Sequence, residues 1–283
     1  MDLQANASEN ISERNAEKPR KTREVRVVYY DSESDEFSGI TRKRFPVDAK
    51  YRYLHKNPIW RACSFFVYRI IMTPFAFLWC KIKFRYRVVN RKAYRAVGKN
   101  GCFTYANHTL MAGDAFLPSM LSFPKRTDIV VSPDNIAVPA TRTFIEMSGA
   151  IPVPNELSGT RGFLNALEKK TLLGHNVTIY PEAHIWPYYT GIRSYPSAAF
   201  RYPVRFDVPV FASTTTFQQI GRRKTPRVTV FVDGPFYPDR NLPEKAREKD
   251  LHDRVYAAMC SHTAENTAEL VRYRKRGETE ETP

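Results

Sequence analysis

The sequence predicts an α/β fold: a mostly parallel central sheet covered by helices, preceded by a membrane-associating amphipathic helical segment. Three observations predict it. From residue 100 onward, short apolar β-prone runs alternate with segments of helix length, the pattern of parallel strands joined by helical crossovers. Ahead of them, residues 51–99 are densely apolar and aromatic but repeatedly interrupted by cations. The net charge of +15 is confined to one stretch: residues 41–99 hold sixteen Lys or Arg against the single acid Asp48, and the rest of the chain sums to zero. A hydrophobic fraction of 42% and a charged fraction of 26% over 283 residues suit a globular protein of one large domain with an appendage.

Residues 1–24 are polar, without periodicity, and read as a disordered tail; they lack the apolar stretch of a signal peptide. Residues 25–50 form a short β-prone extension, in which Val25–Tyr30 and Ile40–Val47 flank the polar stretch Asp31–Gly39 and suggest an irregular hairpin. Residues 51–99 form the basic, aromatic segment. Ile59–Trp60, Phe65–Tyr68 and Ile70–Cys80 are its apolar runs, with Arg61 and Arg69 between them and Pro74 inside the last. Eleven apolar positions fall short of the ~20 that a spanning helix needs. The remaining readings are a pair of amphipathic core helices or an interfacial helix or helical hairpin. Arg42, Lys43, Arg44, Lys50, Arg52 and Lys56 before it, and Lys81, Lys83, Arg85, Arg87, Arg91, Lys92, Arg95 and Lys99 after it, favour the interface, since each cation near an anionic leaflet contributes ~1 kcal/mol.

Residues 100–283 form the main domain, including a C-terminal helix. Its strands are expected at Cys102–Ala106, Asp128–Ser132, Ile151–Pro154, Asn176–Tyr180, Val208–Thr216 and Arg227–Asp233. Its helices are expected at Asp114–Ser122, Thr141–Met147, Thr160–Leu173 and Pro243–Leu270. Four scattered cysteines, Cys63, Cys80, Cys102 and Cys260, give neither a disulfide framework nor a thiolate metal site and fit a reducing cytosol. The histidine spacings form no metal site, and no Gly-rich nucleotide loop is present.

Chemistry in such a sheet belongs at strand ends. Asn107-His108 follows the first strand, with Asp114 six residues on. An imidazole can take a proton from a hydroxyl, and a carboxylate can fix its tautomer. Six positions along a straight helix point apart, so the pair meets only if the chain turns between them, which Gly113 eases. A His near an Asp is, by itself, more often a structural hydrogen bond. The second junction, Tyr180-Pro181-Glu182-Ala183-His184, ends a strand at a proline, with Arg193 nearby; alone it also reads as a buried polar turn. His184 is more simply a hydrogen-bonded loop residue, His175 a helix-end cation, and His252 and His262 surface residues.

Together these pieces resemble the PlsC-type glycerolipid acyltransferases, specifically the 1-acylglycerol-3-phosphate acyltransferases. Asn107-His108…Asp114 is followed some 70 residues later by an apolar strand ending in Pro181-Glu182. Gly149-Ala150-Ile151-Pro152-Val153 and Val208-Pro209-Val210 resemble two further motifs, so the likeness covers about residues 100–235. It implies direct acyl transfer from a thioester to the hydroxyl of a lysophospholipid, lysophosphatidate above all, giving phosphatidic acid. His108 is then the base and Asp114 its partner, with Asn107, Pro181, Glu182, Ala183, Arg161 and Arg193 around the substrates. Backbone N–H groups near His108 or Ala183 are candidate oxyanion donors. No cofactor is implied: acyl carrier protein or CoA carries the acyl group as co-substrate, and no Gly-x-Ser-x-Gly elbow exists to form an acyl-enzyme. The site of action is the cytoplasmic face of a membrane rich in anionic lipids, held peripherally or monotopically.

The motifs depart from the family's in three ways. Five residues rather than four separate His108 from Asp114, Ala183-His184-Ile185 replaces Gly-Thr-Arg, and Pro154-Asn155 stands where an arginine is expected. The family's phosphate-binding arginines are therefore missing, and Arg161 and Arg193 are the nearest replacements, with Lys125, Arg126 and Arg142 as further candidates. Other readings are an acyltransferase acting on glycerol 3-phosphate, another lysolipid or an aminolipid, a non-catalytic membrane scaffold on the same fold, or a nucleic-acid binder. The apolar character of the basic segment argues against nucleic acid as partner.

Overall fold

The computed structural model describes residues 25–37, 39, 45–221, 223 and 225–277. The tail expected over 1–24, most of the second β-prone run and the cations Arg42, Lys43 and Arg44 lie outside the described residues. A two-stranded parallel sheet joins β1 (Arg26–Tyr30) to β9 (Val271–Lys275). The central sheet has seven strands: β2 (Arg87–Val89), β3 (Cys102–Ala106), β4 (Thr127–Val131), β5 (Ala150–Pro152), β6 (Asn176–Ile179), β7 (Val210–Gln218) and β8 (Arg227–Phe236). Their order is β2-β8-β7-β3-β6-β4-β5. From β7 to β5 all neighbours are parallel, while β8 runs antiparallel to β7 and β2 follows β8.

β3 lies at the middle and is buried along its whole length, which is why CFTYA is apolar without alternation. Its side chains feed two cores. Cys102 joins Ala76, Cys80 and Phe84 of the long helix α1 (Pro58–Phe84) and Leu117 and Met120 of α2 (Leu117–Leu121) on one face. Phe103 and Tyr105 join Phe163 and Leu167 of α4 (Thr160–Leu172) and Leu251, Val255 and Met259 of α6 (Glu244–Ser261) on the other. Two further helices are α3 (Pro139–Met147) and α5 (Arg201–Phe206).

The mostly parallel α/β sheet is as expected; several local features are not. Val25–Tyr30 pairs with residues near the C-terminus rather than, among the described residues, with its own second run, of which only Phe45–Val47 is described; there the Asn155 carboxamide accepts the Val47 N–H at 2.8 Å. The expected Pro243–Leu270 helix ends at Ser261, because the chain beyond packs on β7: the N–H groups of Thr267 and Ala268 donate to the Phe217 carbonyl at 3.0 and 3.1 Å. Residues 85–99, expected to belong to the basic helical segment, lie beyond the end of the helix at Phe84, and β2 among them belongs to the central sheet.

The basic, aromatic segment forms one helix of 27 residues, neither a pair nor a hairpin. Pro74 lacks an N–H and would crowd the carbonyl four residues back. A π-helical stretch, Val67–Met72, absorbs this by widening the turn, and both the N–H and the hydroxyl of Thr73 donate to the Tyr68 carbonyl. The helix is long and apolar enough to cross a membrane by length and composition, but one face (Ser64, Tyr68, Ala76, Cys80, Phe84) is buried on the domain. The other shows Ile59, Phe65, Ile70, Leu78 and Ile82, each more than half exposed.

Candidate active site

β3 and β6 are hydrogen-bonded neighbours running in the same direction, so the segments that follow them emerge side by side at one edge of the sheet. Asn107 anchors the first: its side chain accepts from the Thr215 N–H (2.8 Å) and donates to the Thr215 carbonyl (3.1 Å) on β7. His108 comes next, in coil, and a single helical turn, Met111–Asp114, carries the carboxylate back beneath it. The His108 Nδ1 lies 2.7 Å from Asp114 Oδ2, and the Leu110 N–H donates to the same oxygen at 3.0 Å. The five-residue spacer thus closes through one helical turn. Gly113 acts here by its lack of a side chain rather than by backbone freedom: its φ is negative, and a Cβ would meet Leu110 Cδ2 at 2.1 Å.

Pro118 explains why the expected Asp114–Ser122 helix is broken. It cannot donate to the carbonyl of Asp114, four residues back. That carbonyl instead accepts from the Tyr180 hydroxyl at 2.6 Å, and the Tyr180 ring stacks on His108 with centroids 4.6 Å apart. Sequence reasoning assigned no role to Tyr180, and its place at the end of β6 beside Pro181 was the available signal.

Glu182 is buried and ties the two segments together. Its Oε2 accepts the His108 N–H at 3.1 Å and its Oε1 accepts the Arg193 N–H at 3.1 Å, while the Arg193 guanidinium meets Oε2 at 2.9 Å. Burial pushes the Glu182 carboxyl up, and Arg193 and the N–H donors pull against it. Arg193 also donates to the carbonyls of His184 and Glu33 and lies over the Trp186 ring at 4.9 Å. Its side chain is 2% exposed. The arginine proposed as a phosphate ligand is therefore committed inside the protein and acts on Glu182 instead.

Residues 31–37 run over this loop as a strap. The Asp35 carbonyl accepts the Trp186 indole N–H at 2.8 Å, the Ser194 hydroxyl donates to Glu33 Oε2 at 2.5 Å, and Glu36 stands 3.2 Å from His184 Nδ1. β1 fixes the strap at its start through the pairing with β9, and at its far end Phe37 packs on Tyr273 of β9 at 5.4 Å, which itself stacks on Trp186 at 4.7 Å.

Pro181 and Ala183 shape the turn, and Ala183 sits at φ 63° where the resembled motif has glycine. Its N–H is spent on the Tyr180 carbonyl, and that of His108 on Glu182, so neither serves as the expected oxyanion donor. Arg161 is exposed on the first turn of α4, where the flanking Gly159 and Gly162 approach Val47 and Tyr53. Lys125 and Arg126 are at the opposite end: Lys125 donates to the carbonyls of Asn100 and Gly174, and Arg126 faces Asp128. His175, taken as a helix-end cation, contacts Asp128 at 2.6 Å. His252 and His262 are only partly exposed, bonded to Tyr195 and Asp233 respectively.

The arrangement can hold and move one proton. With Nδ1–H donated to Asp114, the His108 ring presents the Nε2 lone pair, and 23% of the side chain is accessible. Burial raises the Asp114 carboxyl above its usual range, while the His108 contact and the Leu110 and Thr109 N–H groups pull it down. No cluster among the described residues has metal-ligand geometry. No protein-family model matches the sequence, and no curated protein has a matching sequence. In its fold the chain is similar to the 1-acyl-sn-glycerophosphate (LPA) acyltransferase PlsC from Thermotoga maritima, with a TM-score of 0.52 and 15% identity, covering 75% of this chain and 85% of that one.

Proposed function

We propose that the protein transfers an acyl group from a thioester to the hydroxyl of a lysophospholipid at a membrane surface, lysophosphatidate being the preferred acceptor. The observation that carries this is the His108–Asp114 pair, with Nδ1 held at 2.7 Å and the His108 backbone pinned by buried Glu182 at the end of the central strand. The His108 Nε2 takes the proton of the acceptor hydroxyl as its oxygen bonds to the thioester carbonyl carbon. Collapse of the tetrahedral species breaks the C–S bond, and the imidazolium returns the proton to the departing thiolate. The products are an ester and a free thiol, and no covalent enzyme intermediate is needed.

The exposed row of α1 supports the membrane part of the reading. Contiguous apolar surface of this kind is unfavourable in water, and a helix whose opposite face is fixed to the domain can lie in the interface. A lysolipid keeps its chain in the bilayer, so an enzyme acting on it has to work there. The test is purified protein with acyl-CoA or acyl-carrier thioester and a panel of acceptors. Phosphatidate and free thiol should appear together and require both substrates. Asp114→Asn, which favours the wrong imidazole tautomer, should lower kcat by about 10²–10⁴-fold. Thiol release that ignores the acceptor, or an Asp114→Asn variant of full activity, would refute the proposal.

A further inference from the structure

A cleft of about 330 Å³ lies away from His108, between the segment 45–55 and α3. Its walls include Lys50, Arg52, His55 and Arg142, with Asp48 and Glu146 as the acids. The acids are already engaged. Glu146 Oε1 accepts from the Tyr51 hydroxyl at 2.7 Å, with His55 at 4.0 Å from its other oxygen, and Asp48 Oδ1 accepts the Lys50 N–H at 2.8 Å. Arg142 is preorganised: its guanidinium carbon lies over the Phe45 ring, 3.7 Å from the centroid, and its Nε–H donates to the Ile136 carbonyl at 2.9 Å. Arg142 lines the cleft with its terminal nitrogens outside that bond, and exposed Lys50 and Arg52 share the lining. A fork held by stacking and one hydrogen bond loses little freedom on gripping a phosphate through two parallel bonds.

The cleft also borders the apolar helix. His55 stacks on Trp60 of the first turn of α1 with ring centroids 3.8 Å apart, and Ile59 beside it, 73% exposed, begins the row of apolar side chains. With that row in the interface, the cleft stands at the level of the headgroups. We propose that the Arg142 cleft binds the phosphate-monoester headgroup of a bilayer lipid, separately from the acceptor at His108. The proposal rests on the membrane-surface reading of α1 but not on catalysis.

The test is flotation of the full chain, carrying His108→Ala so that no lipid turns over. Vesicles of phosphatidylcholine alone are compared with vesicles carrying phosphatidate or phosphatidylglycerol at equal charge density. Binding to phosphatidylcholine reports α1, and the preference for phosphatidate over phosphatidylglycerol reports the cleft, so the two readings fail separately. Arg142→Gln with Arg52→Gln should abolish the preference and weaken phosphatidate binding roughly five-fold per cation removed. Lys81→Gln with Lys83→Gln, at the far end of α1, should leave the preference intact. Because Arg142 also holds the Ile136 carbonyl, Lys50→Gln with Arg52→Gln, both exposed, decides the matter if the first pair misfolds. A wild-type chain without preference, or equal losses from both ends of α1, would overturn the proposal. So would inorganic phosphate at millimolar concentration erasing the preference, which would assign the cleft to a soluble ester.

Discussion

Two histidine–carboxylate pairs stand at opposite ends of the same sheet, and they are surrounded differently. His108–Asp114 follows the carboxyl end of β3, whereas His175–Asp128 lies where β4 and β6 begin. The distances are nearly equal, 2.7 and 2.6 Å, so proximity does not separate them. The neighbours do. Asp128 has no side-chain exposure and faces Lys170 at 2.8 Å and Arg126 at 3.9 Å besides His175. Burial works against its charge, but Lys170, His175 and Arg126 overcome it and hold the carboxyl well below the usual range. Asp114 meets one imidazole and N–H groups, and burial leaves its carboxyl raised. A buried aspartate saturated with cations is a structural rivet. One whose main partner is a single imidazole can respond when that ring gains a proton.

The largest expected effect breaks this comparison if it fails. His108→Ala should cut acyl transfer to lysophosphatidate by about 10²–10⁴-fold on the folded fraction and, because it leaves buried Asp114 without its imidazole, should also destabilise by roughly 1–3 kcal/mol. His175→Ala should leave kcat within about two-fold and destabilise by roughly 1–3 kcal/mol, the range for a charged hydrogen bond lost in the interior. Next in size is Glu182→Ala. Removing this carboxylate strands the buried Arg193 guanidinium, which costs about 3–5 kcal/mol, and also frees the His108 backbone. Denaturant titration and kinetics on the folded fraction should therefore both change. Asp128→Ala should match its stability loss while sparing the rate.

Much of the candidate site was legible because its signals are local: an apolar strand, then Asn107-His108 with Asp114 six residues on, and a second strand stopped by Pro181 before Glu182. The role of Arg193 was not legible, since a loop arginine near a motif carries no mark of being buried. The β1–β9 pairing joins Arg26 to Val271 and is set by tertiary packing around Trp186, for which five-residue strands such as VRYRK give no local cue. Continuity of α1 through Pro74 depends on the π turn, which propensity alone does not foretell.

Acid stability sharpens the contrast at intermediate size. The depressed Asp128 carboxyl contributes stability that is complete above the unfolded value near pH 4 and is lost as pH falls below it toward the folded value. Asp114, raised, has the opposite sign, so its contribution falls as pH rises from about 4 through its folded value. Urea titrations across this range should give a steep acid limb for the wild type. Asp128→Asn should be less stable at neutral pH yet flatter below pH 4, and Asp114→Asn should keep the steep limb. A steep limb in Asp128→Asn would mean that other carboxylates govern acid unfolding.

The smallest expected effect concerns only the backbone of the candidate site. Ala183 holds φ at 63°, which costs a residue with a Cβ about 1–2 kcal/mol relative to glycine. Glycine, however, loses more freedom on folding, by about 0.4–1 kcal/mol. The strain term is the larger, so Ala183→Gly should stabilise the protein by about 0.5–1 kcal/mol and raise the melting temperature by a few degrees. Tyr188 has almost the same φ, 61°, but its ring packs on Phe217 with centroids 5.2 Å apart. Tyr188→Gly therefore removes more packing than it relieves strain and should destabilise. Opposite signs at two positions of equal φ would show that packing decides which strained residues this loop retains; a destabilised Ala183→Gly would mean that the Cβ of Ala183 makes a contact worth more than the strain.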